Sequence, residues 1–443
     1  MQELIVKCHE NDLKIILDLV VNHTSNQHQW FRESRRDTES TKRDWYFWRP
    51  ARYNEHGRRV PPTNWRSYRG GSAWTWDEHT EEYYLHIYDA SQPDLNWENA
   101  DCRVAIYDSA MRFWLNRGID GFRIDTVNKY SKVLPFVDVP ILDERRSIPD
   151  AEVMCCNGPR IHEFLREMNS KVLSKYHTYD GLPIVAVGEL AMCSDPAAVL
   201  PYISAANKEL DMVLQSDITR LGKGAINRYE FEPWPLPDLK RIVAKWQTSI
   251  DGTDAWTTVC SENHDNGRSV SRLANDMPEW REKSAKVLAV WMVGLIGSLF
   301  LYQGQEIGMV NAPKTWDIEV EYKDPVSQSD WAAAAAGPEG KKEVIKHGMQ
   351  LMARDHSRLP FQWDGSKNAG FSMGTPWMRV HDNYPEVNVA KQEEDENSVL
   401  KFYRKVLRLR KELEDVFVYG TFELLEENNL HTFVYLKLSL IHI

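Results

Sequence analysis

Gly121-Phe-Arg-Ile-Asp125, Ile184-Val-Ala-Val-Gly-Glu189 and Thr258-Val-Cys-Ser-Glu-Asn-His-Asp265 share one pattern: a short apolar run that ends in an acid. A fourth run of the same kind, Ile15-Ile-Leu-Asp-Leu-Val-Val-Asn-His23, precedes them. Buried strands favour apolar and β-branched residues, so an acid at the tip of one needs a reason. In an α/β barrel that reason is often chemistry, because the active site collects at the C-terminal ends of the strands.

Around these runs strand and helix signals alternate. Strands are predicted near 14–21, 118–125, 183–190, 210–216, 254–262 and 297–303. Helices are predicted near 1–11, 99–117, 159–179, 194–206, 237–250, 278–295 and 396–414. Alternation over this length implies a parallel sheet, open or closed. Residues 24–95 break the pattern. They are rich in Trp, Tyr, Arg, Gly and Pro without helical period, and a loop of that length is improbable in a compact domain. A small inserted subdomain with its own β structure is therefore expected. Further interruptions fall at 128–158 and 311–394, the second carrying the Ala332–Ala336 run. After Val418 the pattern turns strand-like and reads as the start of a C-terminal β domain. The tail Leu438–Ile443 looks unlike what precedes it and reads as an artefact.

The acids suggest a reaction. Arg123 and Asp125 are two apart on a strand and point to one face. A guanidinium beside a carboxylate keeps the acid ionised and oriented, as a nucleophile requires. Like charges disfavour ionisation, so Glu189, close to other acids, is expected to hold a proton for a leaving group. Two carboxyls about 5–5.5 Å apart would make a retaining glycosidase with a covalent intermediate. One Asp at a strand tip is more often a helix N-cap, and a lone histidine such as His23 or His264 is more often structural. Acids on consecutive strand tips in one order are not explained that way.

Together these residues resemble glycoside hydrolase family 13, the α-amylase family. Asp18-Leu-Val-Val-Asn-His23, Gly121–Asp125, Gly188-Glu189 and Glu262-Asn-His-Asp265 are similar to its four short conserved regions. Gln92-Pro-Asp-Leu-Asn96 resembles the fifth region of the oligo-1,6-glucosidase and maltase subgroup. Tyr302–Gly308 and Arg354–Asp364 extend the likeness, which runs to about residue 435. The resemblance implies a TIM (β/α)8-type barrel with Asp125 as nucleophile, Glu189 as general acid/base and Asp265 as transition-state stabiliser. His23, Arg123 and His264 match residues lining the subsite of the cleaved glucose, and Asp18 and Asn22 a structural pair beside it. Arg358 resembles the arginine that closes the pocket and makes such enzymes exo-acting. Thr126, next to the nucleophile, is Thr or Ala in maltases and Val in isomaltases, so α-1,4 activity on maltose-like oligosaccharides is expected.

The resemblance also divides the chain. Residues 1–23 open the catalytic barrel, 24–95 match the inserted subdomain B, 96–417 continue the barrel around the 311–394 excursion, and 418–443 begin the C-terminal domain. Counted from the first region, which lies on the third barrel strand, the chain supplies strands three to eight. A barrel left incomplete has two unpaired edges and an open core, and such edges invite aggregation. The expectation is a partial polypeptide, inactive and poorly stable. The small departures Asn266-Gly267 and Leu359-Pro-Phe361 touch pocket geometry only.

Other readings keep the scaffold: isomaltase action, transglucosylation or sucrose isomerisation by the same three acids. A non-catalytic amylase-like scaffold is the reading from another class, but all three acids are present and no membrane span is visible. The net charge of −11 argues against nucleic acid as a partner. No run reaches the length of a membrane span. The six cysteines lack metal-ligand spacing, and the family's divalent-cation site lies outside the matched part, so neither metal nor cofactor is expected. The cysteine pattern favours a reducing compartment, hence the cytoplasm. A full-length version is expected to be a monomer. Seventeen Trp and eighteen Tyr are explained either by sugar platforms or by ordinary packing.

Overall fold

The computed structural model describes residues 1–141 and 149–439. The tail beyond Ser439, and 142–148 within the 128–158 interruption, lie outside the described residues. The chain divides into two compact units, Met1–Ser216 with Gly252–Trp256, and Asp217–Asp251 with the residues from Thr257 onward.

In the first unit, helix Gln2–Glu10 leads into strand β1 (Ile16–Leu19). Five short antiparallel strands follow: β2 (Trp48–Arg49), β3 (Arg52–Tyr53), β4 (Arg59–Val60), β5 (Trp74–Asp77) and β6 (Glu82–Leu85). They form a three-stranded sheet, β2-β6-β5, and a β3–β4 hairpin. Trp65, Trp74, Phe47, Tyr83, Leu85 and Ile87 make a buried cluster there with Val139, Met154 and Cys155. Ordinary packing therefore accounts for much of the aromatic content of this stretch. The chain then lays down β7 (Gly121–Ile124), β8 (Val185–Glu189) and β9 (Met212–Leu214).

These join β1 in one parallel sheet of order β1-β7-β8-β9. Parallel neighbours need crossover connections, here the helices Ala100–Ile106, Ile161–Lys171 and Pro196–Ile203. The first of these runs on through a π-helical stretch, Tyr107–Arg112, to Leu115, where a plain helix was expected. Gly121 is required by close approach: a Cβ there would lie 2.1 Å from the Val185 carbonyl oxygen.

In the second unit, β10 (Thr258–Cys260) and β11 (Ser298–Phe300) pair in parallel, and β12 (Thr421–Leu425) and β13 (Val434–Leu438) form an antiparallel hairpin. Helices Leu236–Thr248, Pro278–Val293 and Val399–Glu412 pack a core of Val243, Val259, Leu288, Met292, Tyr403 and Phe422. The excursion is helical, with Pro325–Ala335 holding most of the alanine run, then Lys341–Met352 and a 3-10 turn Arg354–Arg358. Arg410 is buried and donates to the carbonyls of Val293, Leu295 and Gly297 at 2.5, 2.8 and 2.6 Å. It thus satisfies the open end of helix Pro278–Val293 and the turn into β11. Among the described residues the six parallel strands are hydrogen-bonded as a sheet of four and a pair, not as a closed ring. No helix among them is long and apolar enough to cross a membrane.

Candidate active site

Parallel register sets the first cluster. Asp18 on β1 lies level with Arg123 on β7, and Ile124 lies level with Gly188 on β8, so Asp125 and Glu189 leave neighbouring strand ends together. A Cβ at Gly188 would lie 2.6 Å from Leu210 and 3.0 Å from Val127, so glycine there lets the strand seat before Glu189. Arg123 joins the three acids. Its Nη1 lies 2.7 Å from Asp18 Oδ1 and 2.6 Å from Asp125 Oδ1, and its Nη2 lies 2.8 Å from Glu189 Oε2. Burial disfavours the guanidinium's charge, yet Glu189, Asp125 and Asp18 outweigh it and raise its pKa above the usual value.

After the nucleophile candidate the backbone turns sharply. Thr126 adopts the left-handed region (φ 39°), sparsely populated for a β-branched residue. The turn brings the Thr126 amide 3.3 Å from Glu189 Oε2 and its hydroxyl 3.2 Å from Asp125 Oδ2. Tyr130 donates its hydroxyl to the Asp125 carbonyl at 3.2 Å. Tyr88 has its pKa driven well above the usual value, by burial first and then by the charges of Asp125 and Glu189.

His23 sits below this group. Its Nε2 is 3.0 Å from Gln92 Nε2, and its Nδ1 3.3 Å from Asn22 Nδ2. Asn22 Nδ2 also reaches Asp94 at 3.3 Å, and Asp94 pairs with Lys132 at 2.9 Å, both fully buried. The Gln92–Asn96 stretch is therefore the floor under His23. Burial lowers the pKa of His23 against the opposing pull of Asp94 and Asp125, so the ring is neutral at pH 7.

In the second unit, Glu262 is buried after β10 and accepts from the Ser269 amide and from Arg268. It anchors a loop. Asp265 faces a different set: Arg354 donates its Nε at 2.7 Å, and also its Nη2, while Arg358 Nη2 approaches at 3.1 Å. His264 Nε2 lies 3.5 Å away. Burial alone would raise the Asp265 pKa, but Arg354, His264 and Arg358 hold it well below the usual carboxylate range. Arg358 also bonds Asp324 at 2.5 Å and the His264 carbonyl at 3.1 Å.

Arg354, Asp324 and Tyr88 were not singled out from the sequence. Arg354 had a signal, since Arg354 and Arg358 are four apart and fall on one side of a helical turn. Asp324 had none beyond its place as the N-cap of Pro325–Ala335. Among the described residues no group of three or more His, Cys, Asp or Glu side chains could hold a metal ion.

Comparison with known proteins gives the chain's family. The family model "Alpha amylase, catalytic domain" matches residues 1–420. An alpha-glucosidase of Candida albicans is 47% identical over 448 residues, covering 99% of this chain and 76% of the relative. Oligo-1,6-glucosidase IMA2 of Saccharomyces cerevisiae is 42% identical over 443 residues, covering 98% and 74%. The crystal structure of trehalose-6-phosphate hydrolase from Bacillus licheniformis superposes with a TM-score of 0.87 at 38% identity, over 99% of this chain and 74% of that one. With its family model matched over nearly the whole length, the chain belongs to the alpha-amylase family through that family's catalytic domain.

Proposed function

We propose that the protein is a retaining, exo-acting α-glucosidase that releases glucose from the non-reducing end of maltose and short α-glucosides. One observation carries this reading: a single guanidinium, Arg123, binds both Asp125 and Glu189 at the ends of adjacent strands. Carboxyls on adjacent strand ends held by one guanidinium suit a double displacement, for which a separation of about 5–5.5 Å is expected. Asp125 attacks the anomeric carbon while Glu189 gives a proton to the departing oxygen. Glu189 then takes a proton from water, and the glucosyl ester on Asp125 is hydrolysed with the α configuration retained. Asp265 is assigned to charge stabilisation in the transition state on the family's motif, with His23, Arg123 and His264 as sugar-binding residues, Asp18 and Asn22 as their support, and Arg358 as the residue that closes the pocket.

The finer parts belong to the same reading. Residues 24–95 are taken as the inserted subdomain, residues 1–23 and 96–417 as barrel, 418 onward as the C-terminal domain, and the six parallel strands as strands three to eight. A cytoplasmic location is supported by buried thiols without disulfides at Cys102, Cys155, Cys156 and Cys260. A monomer acting on a small oligosaccharide, with no metal or cofactor, completes it. The test is NMR of the glucose first released from an aryl α-glucoside, which yields a single sugar. α-Glucose supports the proposal, and β-glucose as the initial product overturns it.

Relatives named for α-glucosidase and for oligo-1,6-glucosidase activity flank this chain at similar identity. Thr126 favours the first, because its hydroxyl bonds Asp125 and offers a polar rim.

A further inference from the structure

Lys129 lies three residues beyond the left-handed turn at Thr126, in the 3-10 turn Val127–Lys129, and is fully buried. Its Nζ has no hydrogen-bond partner among the described residues. An isolated buried ammonium is costly unless something compensates it. The compensation here is aromatic. Nζ lies 3.6 Å from the centre of the Tyr68 ring and 5.1 Å from that of Tyr88, within cation–π range of both. The two rings stack on each other at 5.2 Å and 25°. Tyr88 in turn leans on His23 at 5.3 Å. The path from cation to catalytic group is thus two rings long.

We propose that Lys129 is a positioning residue of the catalytic cluster: its ammonium pins the Tyr68–Tyr88 stack against His23. The inference rests on the glycosidase reading above. The groups that face Lys129 are Cys155, Cys156 and Glu152 from one segment, Asp94 from another, and the two tyrosines. Asp94 is already paired with Lys132, and burial raises both thiols, so Glu152 and the ring faces are what remain to balance the charge. Burial lowers the Lys129 pKa; burial is also the first cause of the lowered His23 pKa, with Lys132 and then Lys129 adding to it against Asp94 and Asp125.

The test compares the full chain with Lys129→Met and Lys129→Arg. Two readouts are taken: the pH profile of kcat/KM on maltose, and the His23 ring titration by NMR, assigned with His23→Gln. Removing the cation makes protonation of His23 easier. Lys129→Met is therefore expected to move the His23 titration and the acid limb of the profile to higher pH. It should also lower kcat/KM about tenfold near neutrality. Lys129→Arg, which keeps charge and ring contact, is expected to restore both. An unmoved His23 titration in Lys129→Met overturns the proposal. So does a pH-independent loss that tracks a lowered Tm and is not rescued by arginine. If the unaltered chain turns over no α-glucoside, the inactivity expected of an incomplete barrel is met, and the NMR arm alone decides the role of Lys129.

Discussion

Thr126 is the residue to which the proposed reading assigns linkage preference. Its hydroxyl lies 3.2 Å from Asp125 and its amide 3.3 Å from Glu189, so a change there alters the surroundings of both acids without removing either. Thr126→Val is expected to shift the ratio of isomaltose to maltose hydrolysis upward by about 1–3 kcal/mol in transition-state terms, read from paired kcat/KM values. Asp125→Asn and Glu189→Gln should each lower kcat on maltose by at least about 10³-fold while thermal stability stays near that of the parent. Retained activity in Asp125→Asn would move the nucleophile elsewhere. These acids were legible because each closes a short apolar run, a local pattern that parallel register turns into adjacency. Arg354 was not, because its partner Asp265 is 89 residues away and only the folded excursion brings them together. Tyr88 was hidden for a related reason: aromatic residues fill that stretch, and sequence alone does not say which one turns toward the acids.

Helices and strands were legible where glycines break a long apolar run, as Gly294 and Gly297 do between helix Pro278–Val293 and β11. The devices that close their ends were not, since they reach across the chain. Arg410 is the example, a side chain from one helix that serves the last carbonyls of another. Arg410→Met should leave those buried acceptors unpaired and cost about 2–4 kcal/mol, measured by urea unfolding. His356 makes the excursion sensitive to acid. It is fully buried, accepts the Ala312 amide at Nδ1 at 3.1 Å and donates Nε2–H to the Met349 carbonyl at 2.8 Å, so it is held neutral. Burial brings its pKa down to about 4. Above the unfolded value of about 6.5 neither state binds the proton and the stability is complete. As pH falls from there toward 4, only the unfolded chain takes it up, and about 3 kcal/mol is lost. Thermal unfolding followed from pH 7 to 4 should show this decline, and His356→Gln should flatten it.

The chain as a body carries a net charge of −11 and an isoelectric point near 5.7. β1 lies at one margin of its sheet, and Val20, just after it, is 44% exposed. Charge repulsion is what opposes association through such a margin, so light scattering should rise as pH approaches 5.7. Val20→Lys should suppress that rise, a direct check on the surface involved. The order of the two units along the chain adds something else. The backbone leaves the first unit at Ser216, returns for Gly252–Trp256 and departs again. That short return is tied in by the Ser204–Ala255 bridge and by Asp254, which accepts from the Ala206 amide at 2.8 Å. The polypeptide is therefore stitched rather than beaded. No single cut frees either half intact, and a gene fragment ending at Ser216 loses the thread that fastens its own final helix and strand.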